Sequence, residues 1–200
     1  VDLSEVIAAA GAVPDDAALA GKVAEIRQYV RIAPEIDEEL VVRQARLCIA
    51  IEQKVEALQC DASTVQCWDS LENNYGCAAC LCMSMMGEQG KPSACESDVT
   101  GAVSMLAAYH AAQSPPALLD WNNNYGYEPD ICVNTHCGNY PRSFLGVKPG
   151  VSTLGVLGGT LGRDLCFGAV TGTVQPGDLT YFRMSSEATA GYIQAYVGDV

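Results

Sequence analysis

Apolar residues recur at helical spacing through the first sixty positions of the chain. Val6, Ile7 and Ala10, then Val23, Ile26 and Val30, predict two helical stretches interrupted at Gly11 and Pro14. Asp37 is placed to cap a third helix, with Glu38 and Glu39 meeting the positive end of its dipole. Leu40, Leu47, Ile51 and Leu58 form one stripe of that helix, which is expected to end near Cys60. Beyond Asp61 the pattern shortens. Thr64 to Trp68 reads as a strand, Cys77 to Met86 as an apolar helix closed by Gly87, and Ser93 to Cys95 as a second strand. Ser97 is the expected cap of a helix that runs to Ala112 and is stopped by Pro115 and Pro116. Ala117 to Leu119 and Ile131 to Asn134 read as third and fourth strands. Helix-length connections join the first three strands, which predicts a parallel sheet; a polar loop joins the last two.

After Pro141 glycine and proline become frequent, and short β-rich runs such as Leu165 to Val174 and Leu179 to Met184 replace helical periodicity. The predicted architecture is therefore α/β. A parallel sheet with flanking helices, partly Rossmann-like, is expected over residues 1–145, and a β-rich, barrel-like domain over 146–200. Because the chain opens on Val1 and its last strand-like run reaches Val200, the expectation is a segment of a longer protein.

Composition narrows the choice. Hydrophobic residues make up 49% of the chain and charged residues 18%, enough to bury a substantial core. A formal charge of −13 opposes nucleic-acid binding, which needs a Lys/Arg surface for phosphates. No polybasic run suits an anionic membrane, and no apolar run approaches the ~20 residues of a membrane helix. Ten cysteines are present, several of them (Cys48, Cys80, Cys82, Cys95, Cys132 and Cys166) inside apolar runs, where a thiol acts as a small hydrophobe. Reduced thiols in a cytoplasmic protein are expected. Cys77-Ala78-Ala79-Cys80-Leu81-Cys82 could signal zinc or redox chemistry, but no second pair completes a four-ligand site, and core packing is the simpler reading. Gly158-Gly159-Thr160-Leu161-Gly162 lacks the lysine of a phosphate loop and reads as a β-turn.

The candidate chemistry lies at strand ends. Glu96 follows Cys95, Asp120 follows Leu119, and His136 stands one residue beyond the strand ending at Asn134. In an open α/β sheet such positions share one crevice. Two carboxylates and an imidazole suit Mn²⁺, with Mg²⁺ or another divalent ion as alternative. A sugar carbonyl and its neighbouring hydroxyl could chelate that metal while a carboxylate moves the proton. Each residue also has a plainer reading, as a helix cap or a structural histidine. Trp68, Asp69, Glu72, Asn73, Trp121 and Asn122 follow strand ends on the same face and are candidates for sugar contact, with Trp68, Trp121 and Asn122 foremost.

The motifs Ala94-Cys95-Glu96-Ser97-Asp98-Val99-Thr100-Gly101-Ala102 and Leu118-Leu119-Asp120-Trp121-Asn122-Asn123 resemble the two acidic motifs of the L-fucose isomerase family. His136, within Asn134-Thr135-His136-Cys137-Gly138-Asn139, is similar to the histidine that follows the second acidic ligand in the related L-arabinose isomerases. The resemblance covers roughly residues 37–198. It implies a Mn²⁺-dependent ketol isomerase acting on a free sugar through an enediol, with Glu96 and Asp120 as metal ligands and proton-moving residues. It also implies a homo-oligomer whose sites include neighbouring subunits. The chain departs from the family in lacking a C-terminal ligand histidine after Val174 and an N-terminal α/β domain. A non-catalytic sugar-binding or regulatory module remains the alternative.

Overall fold

The computed structural model describes residues 1–187 and 189–199, with all their side chains except those of Asn123, Val156 and Leu157; Ala188 and Val200 fall outside it. The first two helical stretches are α1 (Leu3–Ala12) and α2 (Ala17–Tyr29), separated at Pro14 as their sequence predicts. Asp2 and Asp16 cap them through backbone N–H groups. The long helix α3 (Glu38–Ala57) starts at Asp37, whose side chain accepts from the Glu39 N–H. Its buried face is Val41, Gln44, Ala45, Cys48, Ile51 and Val55, with Leu47 beside them. That face is rotated from the predicted stripe: Leu40 is only half-buried, and Leu58 caps the helix in solvent at 56% exposure.

Strand β1 (Arg31–Ile32) precedes α3, and β2 (Ser63–Val65) follows it. Helix α4 (Ser70–Tyr75) occupies the Trp68 region, where the strand was expected to continue, and ends on Gly76. Gly76 takes φ +83 and donates to the carbonyls of Leu71 and Glu72, a left-handed closure that only glycine adopts without strain. Helix α5 (Cys80–Glu88) leads to β3 (Ser93–Cys95), which pairs in parallel with β2 at Ser63↔Ser93, Thr64↔Ala94 and Val65↔Cys95. This is the predicted βαβ unit. Every α5 residue from Cys80 to Gly87 is buried, so Cys80 and Cys82 pack as apolar side chains; burial pushes the Cys80 thiol far above the usual range, and a hydrogen bond with Cys48 followed by burial does the same for Cys82. Of the cysteines read as core residues, Cys132 alone is half-exposed.

Helix α6 (Val99–Ala112) is capped by Asp98 rather than Ser97: the Asp98 carboxylate accepts from the Gly101 N–H at 2.8 Å. The parallel-sheet reading then fails. Residues 117–119 form no strand; β4 (Asp120–Tyr125) and β5 (Glu128–Thr135) make an antiparallel hairpin. The physical reason is the connection, a tight turn at Gly126 (φ +59) with no helix to carry a parallel crossover. Beyond it lie β6 (Gly150–Thr153), α7 (Gly155–Leu161), β7 (Phe167–Thr171), β8 (Thr180–Glu187) and β9 (Tyr192–Asp199). The glycine-rich segment read as a β-turn is thus helical in α7.

The architecture is mixed α/β with four small sheets, ordered β1-β6-β7, β2-β3, β4-β5 and β8-β9. No closed barrel is formed among the described residues. β6 runs parallel to β1 and antiparallel to β7, so residues near 31 and near 151 share one ladder. The core brings Leu47, Cys48 and Ile51 of α3 and Leu81, Met83 and Met85 of α5 against Phe167 and Val170 of β7. Phe167 is fully buried, a contribution of about 1.5–3 kcal/mol from apolar area alone. Gln44 ties the layers together by donating to the Ala78 carbonyl, while the Ala78 N–H donates to the Phe167 carbonyl. No described helix is long and apolar enough to cross a membrane.

Candidate functional site

A cleft of about 710 Å³ opens beside α6. Glu96, Asp120 and His136 all line it, as does Trp121. Glu96 follows β3 directly, its N–H donating to the Val65 carbonyl at 3.0 Å. It and Ser97 both take positive φ, +57 and +58, so the chain turns sharply between β3 and the α6 cap. Asp120 and His136 arrive by a route the sequence did not suggest. They do not sit at ends of successive parallel strands. Asp120 opens β4 opposite Thr135, and His136 is the next residue, so hairpin register brings the two to one end.

His136 is held through its backbone, with its N–H donating to Tyr140 Oη at 2.7 Å and Tyr140 Oη donating back to the His136 carbonyl. Its ring Nδ1 is buried without a partner. The carboxylates of Glu96 and Asp120 form no ion pair among the described residues. Their field reaches Cys137: burial, then the charge of Glu96 and other neighbours including Asp120, pushes that thiol up to about 11. Burial also raises the Tyr140 phenol, with Asp120 among the contributing charges. Even so, no three His, Cys, Asp or Glu side chains converge closely enough to hold a metal among the described residues.

Of the residues read as sugar contacts, Trp121 meets the expectation of position: it stands edge-on to Tyr181 with ring centroids 5.4 Å apart. Trp68 is exposed and outside the cleft wall, joined to it only indirectly. Gln66 Nε2 donates to the Trp68 carbonyl, and Ser97 Oγ donates to Gln66 Oε1. Asn122 is also outside the wall, its side chain donating to the Asp120 carbonyl. The Asn123 side chain of the same motif lies outside the described residues. Glu72 is not a surface group; it is completely buried, with both carboxylate oxygens unpartnered.

Sequence reasoning missed the opposite wall. Tyr181, Phe182 and Arg183 of β8 and Tyr196 of β9 line the cleft. Arg183 bonds Asp98 at 2.6 Å and donates to Thr100 Oγ1 at 3.1 Å, clamping the hairpin to the start of α6. Burial opposes ionisation of Asp98, but hydrogen bonds from Arg183, the Gly101 N–H and Thr100 outweigh it and hold the carboxyl below its usual range. Only the alternating β pattern of Leu179 to Met184 hinted at this wall, and it does not name a partner.

Residues 134–199 match the L-fucose isomerase C-terminal domain. This match covers about a third of the chain and names the same family that the acidic motifs resemble. Among curated proteins it is similar to the sulfoquinovose isomerase of Alkalicoccus urumqiensis, 30% identical over 175 residues that cover 86% of this chain and 39% of that protein. It is also similar to the sulfoquinovose isomerase of Priestia aryabhattai, 28% identical over 150 residues, with 74% and 32% covered. A third such enzyme, from Priestia megaterium, matches to the same extent. The chain spans well under half the length of these relatives.

Proposed function

We propose that the protein containing this chain is a metal-dependent aldose–ketose isomerase acting on a free sugar, and that Glu96 and Asp120 are its catalytic carboxylates. The observation that carries the reading is the shared cleft: Glu96, Asp120 and His136, remote in sequence, all line it. The donor set suits Mn²⁺, with Mg²⁺ as alternative. Two carboxylates without an ion pair share the cleft with an imidazole whose Nδ1 has no partner among the described residues. Three donors do not yet share a coordination point among the described residues, so the reading assigns the remaining ligands, and part of the closure, to the rest of the protein. A metal held by these donors would supply Lewis-acid polarisation of the sugar carbonyl.

The chain's own part is proton movement and positioning. A carboxylate oxygen of Glu96 or Asp120 takes the proton from the carbon next to the carbonyl, and a carboxylate returns it to the neighbouring carbon. Trp121 and Tyr181 offer aromatic faces and edges to the sugar ring. Arg183 is the sole Lys or Arg on the described cleft wall, and Asp98 occupies it. The substrate class is a free aldose such as L-fucose, with sulfoquinovose tested beside it. Exposed Trp121, Tyr125, Tyr127 and Ile131 on the β4–β5 hairpin accord with a homo-oligomer in which they are covered, and the protein is read as cytoplasmic.

The test uses the full-length protein with Mn²⁺ and a panel that includes L-fucose, L-arabinose and sulfoquinovose. Ketose formation is expected, abolished by a chelator and restored by Mn²⁺. Glu96→Gln or Asp120→Asn should lower turnover by about 10²-fold or more. Wild-type turnover in both variants would remove this mechanism. The lack of a converged ligand set favours one second reading, a non-catalytic sugar-binding module; it predicts saturable binding and no ketose.

A further inference from the structure

Beneath Glu96 two thiols meet. Cys67 lies two residues past the end of β2 and Cys95 is the last residue of β3, and their sulfurs are 3.6 Å apart. We propose that Cys67 and Cys95 are a reversible disulfide pair, oxidised by a hydroperoxide entering through the cleft, whose closure displaces Glu96. The displacement of Glu96 rests on the isomerase reading; the disulfide does not.

The geometry suits the bond. A disulfide needs the sulfurs at about 2.05 Å, so the two chains must draw together from a sulfur separation of 3.6 Å. Val65 and Cys95 are register partners, so the cross-link would join the last paired residue of β3 to the chain two residues beyond the end of β2. Cys95 lines the cleft and Cys67 Sγ lies 3.6 Å behind it, so a small neutral oxidant entering the cleft reaches Cys67 by passing Cys95. Cys48 and Cys82 are also neighbours, but both are fully buried and neither lines the cleft. The hydrogen bond shared with Cys95 favours the anion on Cys67.

The chemistry balances. The Cys67 thiolate attacks one peroxide oxygen, the O–O bond breaks, and hydroxide (or an alkoxide) leaves as Cys67 becomes a sulfenic acid. The Cys95 sulfur then attacks the Cys67 sulfur. The S–S bond forms, the S–O bond breaks, and the sulfenic oxygen departs as water with the thiol proton. Two thiols are oxidised and one peroxide is reduced; an external dithiol reverses the change by exchange.

Glu96 is the next residue after Cys95, and its N–H is tied to the Val65 carbonyl in a backbone turn of two consecutive positive φ angles. Drawing Cys95 toward Cys67 therefore moves the base of that turn.

The test is a thiol map of the full-length wild-type protein treated with hydrogen peroxide, alkylated and digested without reductant. The expected product is a Cys67–Cys95 linked peptide, lighter by two hydrogens than its parts and absent after dithiothreitol. In Cys67→Ser, Cys95 should remain open to alkylation. The pair is refuted if both thiols stay alkylatable in the wild type, or if Cys48–Cys82 forms in its place. A second arm follows ketose formation through the same cycle, with loss on oxidation and recovery on reduction expected. Disulfide formed with turnover unchanged overturns the effect on Glu96. A protein with no turnover before oxidation refutes the isomerase reading and leaves the thiol map to decide the pair.

Discussion

Replacing Glu72 by glutamine tests how the core tolerates a carboxyl group. Glu72 sits on α4 with no solvent exposure, and neither carboxylate oxygen has a hydrogen-bond partner among the described residues. Burial, assisted by the charge of Asp69, raises its pKa from 4.5 to about 7. The folded form thus holds the proton more tightly than the unfolded chain. Its contribution to stability is complete below pH 4.5, declines as pH rises through the window to about 7, and is gone above it. At about 1.36 kcal/mol per pH unit, the shift bounds the loss at roughly 3 kcal/mol, of which roughly 2.5 falls between about pH 5 and pH 8. Glu72→Gln keeps the size and removes the ionisation. Urea unfolding at a series of pH values should show the wild type losing roughly 2–3 kcal/mol more than the variant across that range. Parallel curves for the two proteins would mean that Glu72 is solvated or paired, and the reasoning would fail.

Further expectations concern the supports of the site. Gly168→Ala places a Cβ 2.6 Å from the Ala78 carbonyl and 2.3 Å from Gln44 Nε2 at φ +128, and should cost about 3 kcal/mol or more in thermal unfolding. Asp98→Ala removes the cap of α6 together with the Arg183 clamp, at a cost of about 1–2 kcal/mol, whereas the half-exposed Arg183→Ala should cost less than about 1. Because Asp98 is held below its usual range, its stabilisation should be present above about pH 4 and lost as pH falls through its lowered folded value; Asp98→Asn should flatten that acid limb. Tyr29→Phe deprives the Arg142 N–H of its acceptor and should lower stability by about 1–2 kcal/mol, read by denaturant midpoint.

Local signals in the sequence carried the first half of the fold well. Asp37 was readable as a cap because a short carboxylate satisfies orphan N–H groups, and Asp2 and Asp16, which the sequence reading did not single out, cap α1 and α2 on the same ground. The βαβ unit ending at Cys95 was legible for the same reason: helix-length connections force parallel pairing. The hairpin after Asp120 was not. Leu118 and Leu119 look like a strand, but pairing was decided by partners downstream, and the strand begins where the apolar run stops. Asp120 and His136 line the same cleft, but antiparallel register unites them and not the parallel strand ends from which they were paired in sequence. The fate of Glu72 was equally hidden, since a glutamate in a polar stretch gives no sign that the core will close over it. Arg183 could not be paired with Asp98 from sequence, because eighty-five positions separate them.

The clamp between Arg183 and Asp98 has an evolutionary meaning. Each side of the cleft hangs from its own hydrogen-bonded ladder, with Glu96 following β2–β3, Asp120 and His136 at one end of β4–β5, and Tyr181 on β8–β9. Substitutions in the outer ribbon can therefore reshape what the mouth admits while the strand beneath Glu96 keeps its register.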